Sequence, residues 1–129
     1  MKVPELTAAS EAGVFDWEGP IAPLESAARA GKLKLHTIDL SAVKSKNALL
    51  EALYRGLKLP EHFGHNWDAL ADCLMDEEWA SGPGYVIVLH NTARFQHDAP
   101  DDFETAWEIF ADASEYWKEN KKPFWVFAA

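Results

Sequence analysis

Between Leu33 and Leu40, Leu33, Leu35, Thr37 and Asp39 alternate with Lys34, His36, Ile38 and Leu40. That period of two predicts a strand. The period then changes. Leu49, Leu50, Leu53 and Leu57 share one face of a helix that Ser45 can cap and that must end before Pro60. YVIVLHN, from Tyr85 to Asn91, is a continuous β-branched run, as in a strand buried on both faces. From Asp102 to Asn120 the aromatic residues Phe103, Trp107, Phe110 and Trp117 form one helical stripe. Pro123 stops that helix, and FWVF reads as a closing strand.

The first residues are less regular. Pro23 suits a first helical turn and Gly31 a C-cap, so PLESAARAG predicts a short helix. Residues 1–20, with Pro4, Gly13, Gly19 and Pro20, predict an irregular arm tacked down by Val14, Phe15 and Trp17. The expected organisation is an arm with a short helix over residues 1–30 and a domain over 31–129. From Leu33 onward the order is strand, helix, helix, strand, helix, strand. Strands separated by helices imply an α/β domain with a small, mostly parallel sheet and right-handed crossovers. Trp107, Phe110, Val86, Val88, Leu70 and Leu53 are expected in one core.

The segment LPEHFGHNWDALADCL, Leu59 to Leu74, carries the chemistry. With Asn66 at the N-cap and about 100° per residue, Leu70, Cys73 and Leu74 cluster on one face with Trp67 at its margin. Asp68 and Asp72 stand on the other side, and Asp76 continues their line if the helix reaches that far. Like charges one turn apart repel by a few tenths of a kcal/mol, roughly. The helix dipole favours Asp68 in the first turn but not Asp72 or Asp76. No Lys or Arg occurs between Leu59 and Ala93, whereas Glu61, Asp68, Asp72, Asp76, Glu77 and Glu78 are all acidic. Glu108, Asp112, Glu115 and Glu119 lie opposite the later aromatic stripe. A solvated face explains Glu77, Glu78 and Glu119. A run of carboxylates without cations on a rigid helix instead suits a basic partner, where they can stand in for phosphates.

Composition narrows the classes. A hydrophobic content of 48% with six Trp and seven Phe argues for a packed globule. The net charge of −9 works against nucleic acid and anionic membrane as partners and favours cationic ones. A lone cysteine, Cys73, and the lack of a signal-like or membrane-length apolar run predict a soluble, cytoplasmic protein. His62, His65, Asp68 and Asp72 reproduce no metal-ligand spacing, so no metal or cofactor is expected. Exposed acids on a convex helix lack the apolar pocket that a carboxylate-pair hydrolase needs. Cys73 faces the core as a small packed residue rather than a nucleophile. The expectation is a binding protein, monomeric when free, and not an enzyme.

LPEHFGHNWDALADCLMD resembles the signature of the barstar family, small cytoplasmic inhibitors of a secreted microbial ribonuclease. The shared pattern is Leu-Pro, an aromatic pair, Gly, then Asn-x-Asp-Ala-Leu-x-Asp-Cys-Leu, and the resemblance extends from Leu33 to Ala129. It implies a three-stranded parallel sheet with helices and a one-to-one complex with a basic, barnase-like ribonuclease. The second helix and its preceding loop would enter the active site. Asp72 matches the family's central aspartate, which occupies the enzyme's phosphate site, and Asp68 the other helix aspartate. Asn66 and Gly64 match the loop that presents backbone groups, and Asp112 stands where the family has a Glu. Asp76 is included in the expected binding face. Four positions depart: His62 replaces a Tyr, Ala71 a contact Trp, Trp67 a Leu and His65 a Glu. These departures bear on which enzyme is bound more than on how. The rival expectation is an acidic binding or regulatory module on the same scaffold, for a basic partner that is no nuclease.

Overall fold

The computed structural model describes residues 2–129. The β-branched run Tyr85–His90 (β3) and the closing run Phe124–Ala128 (β4) are the two inner strands, and every β4 residue is buried. Lys34–Asp39 (β2) flanks β3, with Lys34 opposite Tyr85 and Asp39 opposite His90. A third neighbour departs from the expected arm. Val14–Asp16 (β1) pairs with β4, Val14 opposite Val126 and Asp16 opposite Ala128. The sheet therefore has four strands rather than three, all parallel, in the order β1-β4-β3-β2. Three residues are too few to carry a period, and this strand exists because β4 offers it an open edge.

Among the described residues a 3-10 helix at Ala9–Glu11 and five α-helices complete the fold: α1 (Ala22–Ala30), α2 (Lys46–Gly56), α3 (Trp67–Leu74), α4 (Ala93–Asp98) and α5 (Pro100–Glu119). The Gly31 C-cap and the Ser45 N-cap are where the sequence places them; the Ser45 hydroxyl accepts from the Ala48 amide at 3.2 Å. The short α4 has no counterpart in the sequence reading, since six residues cannot display a helical stripe.

Period two within each inner strand divides the interior into two cores. Ile87, Leu89, Phe124 and Val126 pack with Leu49, Leu50 and Leu53 of α2, Leu70 and Leu74 of α3, and Phe110 and Trp117 of α5. Val86, Val88, Trp125 and Phe127 point the other way, against Leu6, Trp17, Leu24, Ala28 and Leu33. The expectation of one core holding Leu53, Leu70, Phe110, Val86 and Val88 is thus corrected: the two valines belong to the opposite layer. Trp107 is only half-buried, at the margin of the first core.

Residues of the first thirty cover that second layer. The Trp125 indole donates to the Leu6 carbonyl at 2.8 Å, and Trp17 meets the Phe127 ring edge-on at 5.6 Å. No buried side-chain polar atom among the described residues lacks a partner. Just before β3, the backbone of Gly84 passes so close to its neighbours that a Cβ would lie 2.7 Å from both Leu33 Cδ2 and Pro123 Cγ. Gly84→Ala is therefore expected to cost about 1–3 kcal/mol by overpacking, read as a lower denaturation midpoint. An unchanged midpoint would mean that Leu33 and Pro123 yield without strain.

Candidate partner-binding face

The loop before α3 is held from below. Leu59 and Phe63 are buried, and Phe63 stacks on Tyr54 of α2 with 5.9 Å between centroids. His65 adopts a left-handed backbone, φ 50°, and its ring lies 4.8 Å from Phe63 and 5.0 Å from Tyr54. Its Nε2 is 2.8 Å from a Glu51 carboxylate oxygen, and its Nδ1 is 3.1 Å from the Phe63 carbonyl. Glu51 also accepts from Arg55 Nε at 2.6 Å. The Arg55 bond, then the His65 bond, hold the Glu51 carboxyl below the usual range. His65, where the resemblance has a Glu, thus ties the loop back onto α2. His62 and Gly64 are left exposed at the surface of the loop.

Asn66 has extended backbone, and its side-chain oxygen accepts from the Ala69 amide at 2.8 Å. Its side-chain nitrogen donates to the Gly64 carbonyl at 3.3 Å, so one residue both caps the helix and closes the loop. Asn66→Ala should lower stability by about 1 kcal/mol, the usual effect of losing an N-cap. Chemical denaturation measures it; no loss would mean that water replaces the cap fully.

On α3 itself, Leu70, Cys73 and Leu74 are buried, Asp68 and Asp72 are exposed and Ala71 is half-buried; the helix ends at Leu74, so Asp76, also half-buried, lies just past it rather than on its face. His62, Asp72 and Asp76 meet around a shallow hollow of about 170 Å³, with Phe63, Ala69 and Cys73 completing its lining. Burial, followed by the charges of Asp76 and Asp72, pushes the Cys73 thiol up, which suits a packed residue. The ion pairs of the described residues use Glu51, Asp98 and Glu115. None uses Asp68, Asp72, Asp76 or Asp112. Asp112 is exposed on α5, and no hydrogen bond or ion pair joins it to the acids of α3.

Sequence spacing missed one cation. Lys46, in the first turn of α2, places its ammonium 5.4 Å from the centroid of Trp67. The stretch without Lys or Arg is real along the chain, but folding brings a lysine to the margin of α3. Among the described residues no group of three His, Cys, Asp or Glu side chains could hold a metal ion. No helix among them is long and apolar enough to cross a membrane.

The capped acidic helix, its anchored loop and the parallel sheet coincide with a family match. The family model described as "Barstar (barnase inhibitor)" matches residues 33–129. The chain belongs to the barstar family. The barstar match takes in β2 through β4 and all of α3, while β1 and α1 precede it. No curated protein matches the sequence. Among solved structures, a chain in "Structure of Drosophila ORC bound to DNA" is 12% identical with a TM-score of 0.49, over 93% of this chain. This chain spans 33% of that one, and a likeness at that level says nothing of function.

Proposed function

We propose that this barstar-family protein inhibits a basic microbial ribonuclease, in a one-to-one complex, by laying α3 and the loop before it across the enzyme's active site. The observation that carries the reading is the pair Asp68 and Asp72, exposed on one side of a capped helix and engaged in no ion pair. Their backbone is already ordered by the capped helix, so binding costs little main-chain freedom. Asp72 takes the place of a substrate phosphate, facing Arg, Lys or His groups that would otherwise bind RNA. Asp68 on the helix and Asp76 just past its end extend the negative field. Asn66 and Gly64 present the loop backbone, and His62 and Ala71 form the rim, where a ring and a methyl stand in place of larger aromatics. Asp112 contributes charge from α5. The protein acts in the cytoplasm as a monomer that captures the enzyme.

The test is a ribonuclease assay on a basic microbial ribonuclease captured from the source organism, with and without this protein. Stoichiometric loss of activity is expected. The association rate should be high at low salt and fall steeply as salt rises from about 0.01 M to 1 M, because the Debye length shrinks from about 30 Å to 3 Å. A salt-independent rate would contradict steering by the acidic face. Capture of a basic protein that has no nuclease activity would favour the acidic-module reading instead.

A further inference from the structure

A second hollow, of about 410 Å³, lies where the C-terminal end of α2 and Pro60 meet the start of β2 and β3. Its volume falls in the range of about 300–1,000 Å³ typical of small-ligand sites. Its chemistry is the reverse of the rest of this acidic chain. Lys34 and Lys58 line it, and Glu78 is the sole carboxylate in the lining.

One wall is a set of three rings. His36 and Tyr85 are parallel within 3° at 6.2 Å, and Trp79 lies 5.0 Å from Tyr85 and 6.1 Å from His36. Each ring is fixed by the backbone. The Trp79 indole donates to the Leu57 carbonyl at 2.8 Å. The Tyr85 hydroxyl donates to the Trp79 carbonyl at 3.1 Å and accepts from the Gly82 amide at 2.9 Å. His36 Nδ1 donates to the Gly56 carbonyl at 3.2 Å, which leaves Nε2 without a protein partner. His36 and Trp79 remain half-exposed, so the wall is accessible.

Two exposed lysines beside the half-exposed rings of His36 and Trp79 suit a ligand that is planar at one end and anionic at the other. The carboxylate of Glu78 adds an acceptor for sugar hydroxyls, as an acidic side chain does toward ribose in dinucleotide sites. From this geometry we propose that the hollow is a binding site for a nucleoside monophosphate. The base lies against Trp79 and His36, the phosphate lies between Lys34 and Lys58, and the ribose lies toward Glu78. Burial, then the charges of Lys58 and Lys34, outweigh the Gly56 hydrogen bond and hold His36 below its ordinary value in the free protein. A phosphate among those lysines opposes their effect and raises it. The facing groups are Lys34, Lys58, Glu78 and Tyr85. Apart from Pro60, at the start of the loop before α3, the site uses none of the groups assigned to ribonuclease inhibition, and its test stands or falls independently of that reading.

The probes are adenosine 5′-monophosphate, adenosine and inorganic phosphate, titrated into the full chain by calorimetry, with the His36 ring followed by NMR. The monophosphate should bind at least about tenfold more tightly than inorganic phosphate, the contribution of stacking one base. It should likewise exceed adenosine and raise the His36 titration midpoint. Lys34→Gln and Lys58→Gln, both at exposed positions, should each weaken binding about tenfold or more, while Lys44→Gln outside the hollow leaves it unchanged. Equal affinity for the monophosphate and inorganic phosphate would overturn the proposal. So would an unmoved His36 signal, or an equal loss for Lys44→Gln.

Discussion

Asp72→Ala is expected to weaken binding to the ribonuclease by about 3–5 kcal/mol, the general loss when one partner of a buried charge pair is removed. In the free protein Asp72 is exposed and unpaired. In the complex its carboxylate would be desolvated among several cations, and the alanine variant leaves those cations without a counter-charge. The free protein should be as stable as before or slightly more so, since alanine favours helix and removes a like-charge neighbour of Asp68. Glu119→Ala, on the exposed C-terminal turn of α5, should change affinity little, as surface charges do. The two variants separate an active-site inhibitor from a diffuse acidic module, which would lose similar affinity at both positions. Affinity and thermal stability should be measured for both. Equal binding losses, or a large stability loss for Asp72→Ala with affinity intact, would remove Asp72 from the inhibitory role.

The largest effect on stability is expected at Trp117. Its side chain is 3% exposed, and its indole donates at 2.8 Å to the carbonyl of Leu74, the last residue of α3. The Lys122 ammonium lies 4.7 Å from the ring centroid. This one residue joins α5 to the end of the acidic helix. Trp117→Ala should cost about 3–5 kcal/mol through the cavity it leaves. Trp117→Phe keeps most of the apolar contact but leaves the Leu74 carbonyl unpaired, for a smaller loss of about 1–3 kcal/mol. Urea denaturation of both variants checks the order. If the Phe variant loses as much as the Ala variant, the hydrogen bond rather than the packing dominates.

Helix α3 was legible in the sequence almost whole. Asn66 caps it, Leu70, Cys73 and Leu74 bury, and Asp68 and Asp72 stay outside. Each of these follows from local rules, because a cap and an amphipathic period act within two turns of chain. The Ser45 cap, the α5 stripe and the buried β3 run are of the same kind. The loop before α3 was legible only in part. That Phe63 anchors it beneath a His65–Glu51 contact depends on residues 14 positions apart, and no spacing rule links them. The contact of Lys46 with Trp67 is of the same kind, between residues far apart along the chain.

The sequence by itself determined the α/β class, the helix that bears the acids, and which side of that helix faces solvent. Hydrophobic period and capping chemistry act over a few residues and leave their mark on the chain. The tertiary structure alone decided that Val14–Asp16 becomes a fourth strand, since its three residues acquire an extended partner only when β4 lies alongside. It also decided that Val86 and Val88 face a different core from Ile87 and Leu89. A continuous apolar run shows that both sides of a strand are covered, but what covers each side depends on where α1 and the first residues return across the sheet.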